Sequence, residues 1–110
     1  MSSLYAKFLE EYESTNIIET EKGFCTYKFI GEDECYIENV YVLPEYRRED
    51  IATKFGHKIE VIAKENGCKY VTGSVCLKSN NPDRSNKFML NYGFILDSII
   101  GNMIYYKKEI

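Results

Sequence analysis

A predicted strand that leads directly into an amphipathic helix constrains the fold of this chain more than any other feature. Residues Glu34–Val42 form the strand, and Pro44 ends it because proline has no backbone N–H for a ladder hydrogen bond. From Ile51 to Asn66 apolar residues recur every three or four positions, which predicts a helix with one buried face. Asp50 is a good N-cap for this helix, and Gly67 is a good stop after its last turn.

The rest of the pattern predicts further helices and strands within one domain spanning residues 1–110. The predicted helices are Leu4–Tyr12, Ile51–Asn66 and Arg84–Tyr92, and the predicted strands are Asn16–Thr20, Phe24–Ile30, Glu34–Val42, Tyr70–Leu77, Phe94–Ile99 and Met103–Lys108. Short turns join the first three strands, which predicts an antiparallel meander, and the last two form a hairpin around Gly101 and Asn102. The predicted fold class is α/β (α+β), with a mixed, mostly antiparallel central sheet and flanking helices.

Composition argues against several classes of function. The chain carries a net charge of −3, and its basic residues are scattered except for two adjacent pairs, so it lacks the basic stripe of a nucleic-acid binder. No apolar run approaches the roughly 20 residues that cross a bilayer, and the start does not resemble a signal peptide. The four cysteines lack metal-ligand spacing. We therefore expect a cytoplasmic protein with reduced thiols, no metal, and no nucleic-acid or membrane partner.

Two motifs make the chain resemble the GNAT superfamily of N-acetyltransferases. Residues 36–53 read Y-I-E-N-V-Y-V-L-P-E-Y-R-R-E-D-I-A-T, similar to the family's central strand–loop–helix motif, and residues 81–94 read N-P-D-R-S-N-K-F-M-L-N-Y-G-F, similar to its Asn-led helix ending in Gly-Phe. The resemblance covers about residues 16–110. It implies a GNAT-like acyl-CoA N-acyltransferase fold without the family's N-terminal strand and most of its following helical region. It also implies acetyl-coenzyme A as co-substrate and direct transfer to a primary amine.

The resemblance further implies where the cofactor binds. Backbone groups of residues 40–42 would extend their strand to the pantetheine, and residues 48–53 would hold the pyrophosphate. The physical reason is that the first N–H groups of a helix have no internal partner and attract anions. The implied cofactor-binding residues are Val40, Tyr41, Val42, Arg47, Arg48, Glu49, Asp50, Ile51, Ala52, Thr53, Asn81 and Ser85. For Asn81 and Ser85 the alternative is that they are simply polar residues at the start of a helix.

Asp50 and Met89 depart from the family's pattern. Asp50 stands where the family has Gly, and a carboxylate about 6 Å from the pyrophosphate would cost roughly 3 kcal/mol, or ~100-fold in affinity. Asp tolerates a left-handed conformation, which would keep the loop's shape, but as a cap it would occupy the amides that a phosphate needs. Met89 replaces the Tyr that usually protonates the leaving thiolate. Tyr92, one turn further on, is a candidate replacement acid or else a core aromatic.

Glu38 is the candidate general base by the same resemblance, since a carboxylate near this position of the strand accepts a proton from the attacking amine. Only the neutral form of a lysine-like amine attacks a thioester, and its pKa is about 10.4, so a base is needed. Asn39, beside it, would help to place the acceptor substrate. The alternative for Glu38 is a solvent-facing strand residue paired with a neighbouring Lys.

These observations leave two main classes of function. The first is an N-acetyltransferase that acts on a primary amine of a protein or small molecule, as a monomer or homodimer. An acceptor site left open by the missing N-terminal region suits a protein acceptor. The second is a catalytically weak or inactive GNAT-fold binding module, which Glu49, Asp50 and Met89 favour. A structural subunit that docks through its terminal hairpin is a third and weaker alternative.

Overall fold

A computed structural model describes residues 3–79 and 82–110. The helices are α1 (Leu4–Tyr12), α2 (Ile51–Glu65) and α3 (Pro82–Tyr92), with a short 3₁₀ turn at Pro44–Tyr46; the strands are β1 (Asn16–Thr20), β2 (Gly23–Ile30), β3 (Glu34–Val42), β4 (Tyr70–Cys76), β5 (Ile95–Ile100) and β6 (Met103–Glu109). All six strands lie in one sheet with the order β1-β2-β3-β4-β6-β5. Only the pairing of β3 with β4 is parallel, so the predicted mixed, mostly antiparallel sheet is confirmed.

The predicted boundaries hold to within one or two residues at most element ends. The meander of β1, β2 and β3 and the hairpin of β5 and β6 are both present. Helix α3 needs a correction, because it begins at Pro82 and not at Arg84. Proline fits the first turn of a helix, where its missing N–H has no partner to lose, so the helix can include Pro82.

The apolar stripe of α2 forms the centre of the core. Ile51, Phe55, Ile59 and Ala63 are all buried, and Phe55 and Ile59 are 2% and 0% exposed. This face packs on β2, β3 and β4, as the three-to-four residue spacing predicts. Gly56 on the same helix leaves space for the ring of Tyr92, whose Cζ would lie 2.8 Å from a Cβ at that position. The helix is thereby fixed against both the sheet and α3.

The parallel strands β3 and β4 pair over only part of their length. Their register runs from Glu34 opposite Tyr70 to Ile37 opposite Gly73, and beyond those residues the two strands separate. At the same point β3 carries a bulge against β2, since Ile37 lies opposite Tyr27 whereas Asn39 lies opposite Thr26. Glu38 is the extra residue of this bulge. The separation of β3 from β4 and the bulge that changes the direction of the Glu38 side chain therefore occur at the same place.

Candidate active site

A cleft of about 600 Å³ opens where β3 and β4 separate. One wall is the end of β3 and the start of α2, and the other is the end of β4 with α3. Eleven of the residues proposed from the sequence lie on these walls: Glu38, Asn39, Val40, Tyr41, Val42, Arg47, Asp50, Ile51, Ala52, Thr53 and Ser85. The structure therefore brings together most of the implied cofactor site. Asn81 lies outside the described residues.

The backbone of Asp50 is left-handed, with φ 58° and ψ 28°, and its side chain makes no capping hydrogen bond to α2. The prediction that Asp50 caps the helix is therefore wrong as regards the side chain. Aspartate is one of the few residues that tolerate this conformation, which glycine adopts most readily. Within the described part of the chain, the amide groups of Ile51, Ala52 and Thr53 make no hydrogen bond. The helix start thus offers free N–H donors to an anion.

Arg47, which lines the cleft, also supports the loop. Its Nε donates a hydrogen bond of 3.0 Å to the carbonyl oxygen of Val42, and its guanidinium lies over the ring of Tyr41. Arg48 and Glu49 are not on the cleft walls as the described residues define them. The carboxylate of Glu49 lies 3.0 Å from Nζ of Lys22, so its charge is partly offset within the protein. Asp50 is thus the acidic loop residue that faces the cleft.

Glu38 lines the cleft and also forms an ion pair. Its Oε1 lies 2.5 Å from Nζ of Lys28 on β2, and its side chain is 23% exposed. Among the described residues this buried oxygen has no well-aligned hydrogen-bond donor. The expected pairing with a neighbouring Lys is present, but the carboxylate is half-buried and does not simply face solvent. Beside it, Nδ2 of Asn39 donates to Oγ1 of Thr26 at 3.1 Å, which orients Asn39.

Met89 and Tyr92 have different surroundings. Met89 is buried, lines the cleft and packs against Gly73. Tyr92 is not on the cleft walls that the described residues form; its hydroxyl lies 3.4 Å from Nδ1 of His57 on α2. Burial, reinforced by the charge of Glu60, raises the pKa of Tyr92 to about 12. The partly buried position of Tyr92 against the core favours the core-aromatic alternative, and its role as a replacement acid stays a prediction.

The sequence reasoning missed most of the wall formed by β4 and α3. These residues are Gly73, Ser74, Val75, Cys76, Ser79, Arg84 and Phe88. The hydroxyl of Ser74 shares a hydrogen bond of 2.7 Å with the hydroxyl of Tyr36 on β3, just where the strands separate. One available signal was the topology, because a strand that follows a crossover helix lies parallel to the previous strand and ends at the same edge.

Two further properties bear on the kind of site. Among residues 3–79 and 82–110, no group of three or more His, Cys, Asp or Glu side chains is placed to hold a metal ion. In the same residues, no helix is long and apolar enough to cross a membrane.

Comparison with known proteins agrees with this architecture. No curated protein sequence gives a significant match. Ard1 from Thermoplasma volcanium superposes with a TM-score of 0.76 at 18% identity, covering 97% of this chain and 78% of that one. The PaiA N-acetyltransferase from Thermoplasma acidophilum, in complex with coenzyme A, gives 0.77 at 18% identity, covering 94% and 67%. A GNAT family acetyltransferase from Elizabethkingia anophelis, with acetyl-CoA bound, gives 0.75 at 14% identity, covering 94% and 82%. Residues 5–94 match the family model of the acetyltransferase (GNAT) family, and the chain belongs to that family.

Proposed function

We propose that this protein transfers an acetyl group from acetyl-coenzyme A directly to a primary amine. The observation that carries the proposal is the cleft between the separated ends of β3 and β4, with free helix amides near one end and Glu38 in its wall. Similarly folded proteins with coenzyme A or acetyl-CoA bound support the choice of co-substrate. Family membership supports the reaction class.

The residues present fit coenzyme A in two respects. The N–H groups of Ile51, Ala52 and Thr53 suit a pyrophosphate, because the N-terminus of a helix carries partial positive charge. Residues 38–42 have no β4 partner, so the backbone groups on that side of β3 are available to the amides of a pantetheine arm. Acetyl-coenzyme A, when bound, supplies the activated acyl group. Asp50 opposes this binding through its charge and permits it through its backbone conformation.

Glu38 is proposed as the general base. A carboxylate at the point where the strands separate can accept the proton of an amine as it attacks, and such a base typically contributes 10²–10⁴-fold to the rate. Asn39, oriented by Thr26, is proposed to position the acceptor. The acceptor is proposed to be an amine on a protein or a small molecule.

A binding module without efficient catalysis is the second candidate. The carboxylate of Asp50 at the pyrophosphate loop and the thioether of Met89 in place of a phenol are the observations that favour it. The enzyme requires both coenzyme A binding and turnover, whereas the binding module lacks efficient turnover and can exist with or without coenzyme A.

Titration with acetyl-coenzyme A followed by a turnover assay tests the proposal. Ligand at 100 times its Kd should stabilise the protein by about 2.7 kcal/mol in thermal unfolding. Release of free thiol should then accelerate on addition of amines, in a panel that includes a peptide N-terminus, a lysine side chain and a polyamine. Coenzyme A binding without thiol release with any acceptor would favour the binding module, and absence of coenzyme A binding would exclude the enzyme.

A further inference from the structure

Lys28 places a primary amine of the chain itself against the proposed base. It lies on β2 opposite Tyr36 of β3, and its Nζ is 2.5 Å from Oε1 of Glu38. Glu38 in turn lines the cleft in which the acetyl donor is proposed to bind. Lys28 itself is not among the residues that line the cleft, so its amine reaches the cleft through Glu38, the carboxylate that an acceptor amine would also approach.

We propose that Lys28 is an acetylation site of the protein, modified in cis by acetyl-coenzyme A bound in the cleft. This inference rests on the proposed function. The ion pair holds the amine next to its base before any external acceptor arrives. Because the amine is already positioned, its reaction avoids the entropy cost of a bimolecular encounter. The side chain of Lys28 is 38% exposed, so it can move from the carboxylate toward the acetyl group.

The proposed step conserves atoms and charge. The ammonium of Lys28 gives one proton to the Glu38 carboxylate, and the neutral nitrogen attacks the thioester carbonyl carbon. A C–N bond forms while the C–S bond breaks, and the electron pair of that bond leaves on sulfur. A second proton from the nitrogen goes to the thiolate, and Glu38 returns its proton to water. The products are an amide at Lys28, coenzyme A and one released proton, and the lysine has lost its charge.

Selectivity for Lys28 follows from the location of its partner. The described residues contain three other lysine–carboxylate pairs: Lys22 with Glu49, Lys69 with Asp33, and Lys108 with Glu60. None of those three carboxylates lines the cleft. Lys22 is a matched reference for reactivity, since its side chain is 36% exposed against 38% for Lys28 and it is also paired with a glutamate.

The test is incubation of the full chain with acetyl-coenzyme A and no added acceptor, followed by peptide mass spectrometry. Lys28 should gain one acetyl group about 100-fold faster than Lys22, at a rate independent of protein concentration. In Glu38→Gln the rate at Lys28 should fall to that at Lys22, while calorimetry shows unchanged coenzyme A affinity. Lys28→Arg keeps the positive charge and should abolish the fast phase.

Equal rates at Lys22 and Lys28, or a rate at Lys28 that is unaffected by Glu38→Gln, would overturn the inference. A rate proportional to protein concentration would overturn modification in cis. If external amines turn over while Lys28 stays unmodified, this inference alone fails. If no coenzyme A binds and no thiol is released with any amine, the proposed function fails, and the inference fails with it.

Discussion

Met89 packs so closely on Gly73 that a Cβ added at Gly73 would lie 2.7 Å from Cε of Met89. The two residues lie on different elements, α3 and β4, and both line the cleft. The absence of a side chain at position 73 therefore leaves room for a long side chain at position 89. This is the position at which the family usually carries a phenol.

Met89→Tyr should increase turnover if departure of the thiolate limits the rate. A phenol on this wall could protonate sulfur, and positioned acids typically contribute 10²–10⁴-fold, so we expect an increase of at least about tenfold. Met89→Phe is the matched control, since it adds the same ring without the hydroxyl. The measurement is kcat for thiol release with saturating amine. Equal kcat values for the Tyr and Phe variants would show that proton donation at this position does not limit the reaction.

The charge of Asp50 should weaken coenzyme A binding. Asp50→Asn removes the charge and still tolerates a left-handed backbone, so we expect the affinity to increase by roughly 10- to 100-fold in calorimetry. Asp50→Gly should behave similarly without loss of stability, because the side chain makes no capping bond. Asp50→Ala tests the backbone conformation separately from the charge. It also removes the charge, but holding alanine in this left-handed conformation costs about 1–2 kcal/mol. The gain in coenzyme A affinity in the Asn and Gly variants should shrink at high salt, because salt screens the charge of Asp50 in the parent. Unchanged affinity in the Asn and Gly variants would contradict the charge argument.

The four cysteines should differ sharply in reactivity. Burial raises the pKa of both the Cys25 and Cys35 thiols to about 12, so only roughly one in 10⁴ is ionised at pH 8. Cys68 is also buried, and burial raises the pKa of its thiol. Cys76 is half-exposed on the cleft wall. An alkylating reagent at pH 8 should therefore modify Cys76 first.

Acetyl-coenzyme A, which has no free thiol to consume the reagent, should slow the alkylation of Cys76 if it binds in the cleft. Peptide mapping after timed alkylation, with and without the ligand, provides the measurement. Unfolding in denaturant should make all four thiols react at similar rates, which serves as the control. Modification of Cys25 or Cys35 before Cys76 in the native protein would contradict the described packing.

Local sequence patterns predicted the helices and strands well, because the formation of each depends on residues that are close in sequence. The periodicity of α2 specifies both a helix and its buried face, and Pro44 specifies the end of β3. The same reasoning is weaker for α1. Its apolar spacing predicts a helix, but Leu4 and Tyr12 are 85% and 72% exposed. Periodicity tells which residues share a face, but not whether another element covers that face.

The site was predictable on one wall and only in part on the other, where the second motif identified Ser85 and Met89. The β3–α2 wall is continuous in sequence, so a motif could identify it. The wall that contains Ser74 and Met89 depends on the β4 crossover and on the packing of α3 against Gly73, which are long-range relationships. The pairing of Lys28 with Glu38 also escaped a specific prediction, because it requires the register of β2 and β3 and the bulge between them.

If Glu38 is the base for acetyl transfer, a pH series of thiol release will separate the parent from Glu38→Gln. Glutamine keeps the size of the side chain but cannot accept a proton, so at pH 7 the rate should fall by about 10²–10⁴-fold with coenzyme A affinity almost unchanged. The defect should shrink as pH rises, because more of the acceptor amine is then already neutral.

Glu60→Gln is the matched control for this measurement, since Glu60 is also a half-buried glutamate paired with a lysine but does not line the cleft. It should retain the parent's rate at every pH. A steep, pH-dependent loss of rate is expected in Glu38→Gln alone. Equal rates for the parent and Glu38→Gln at pH 7 would contradict it.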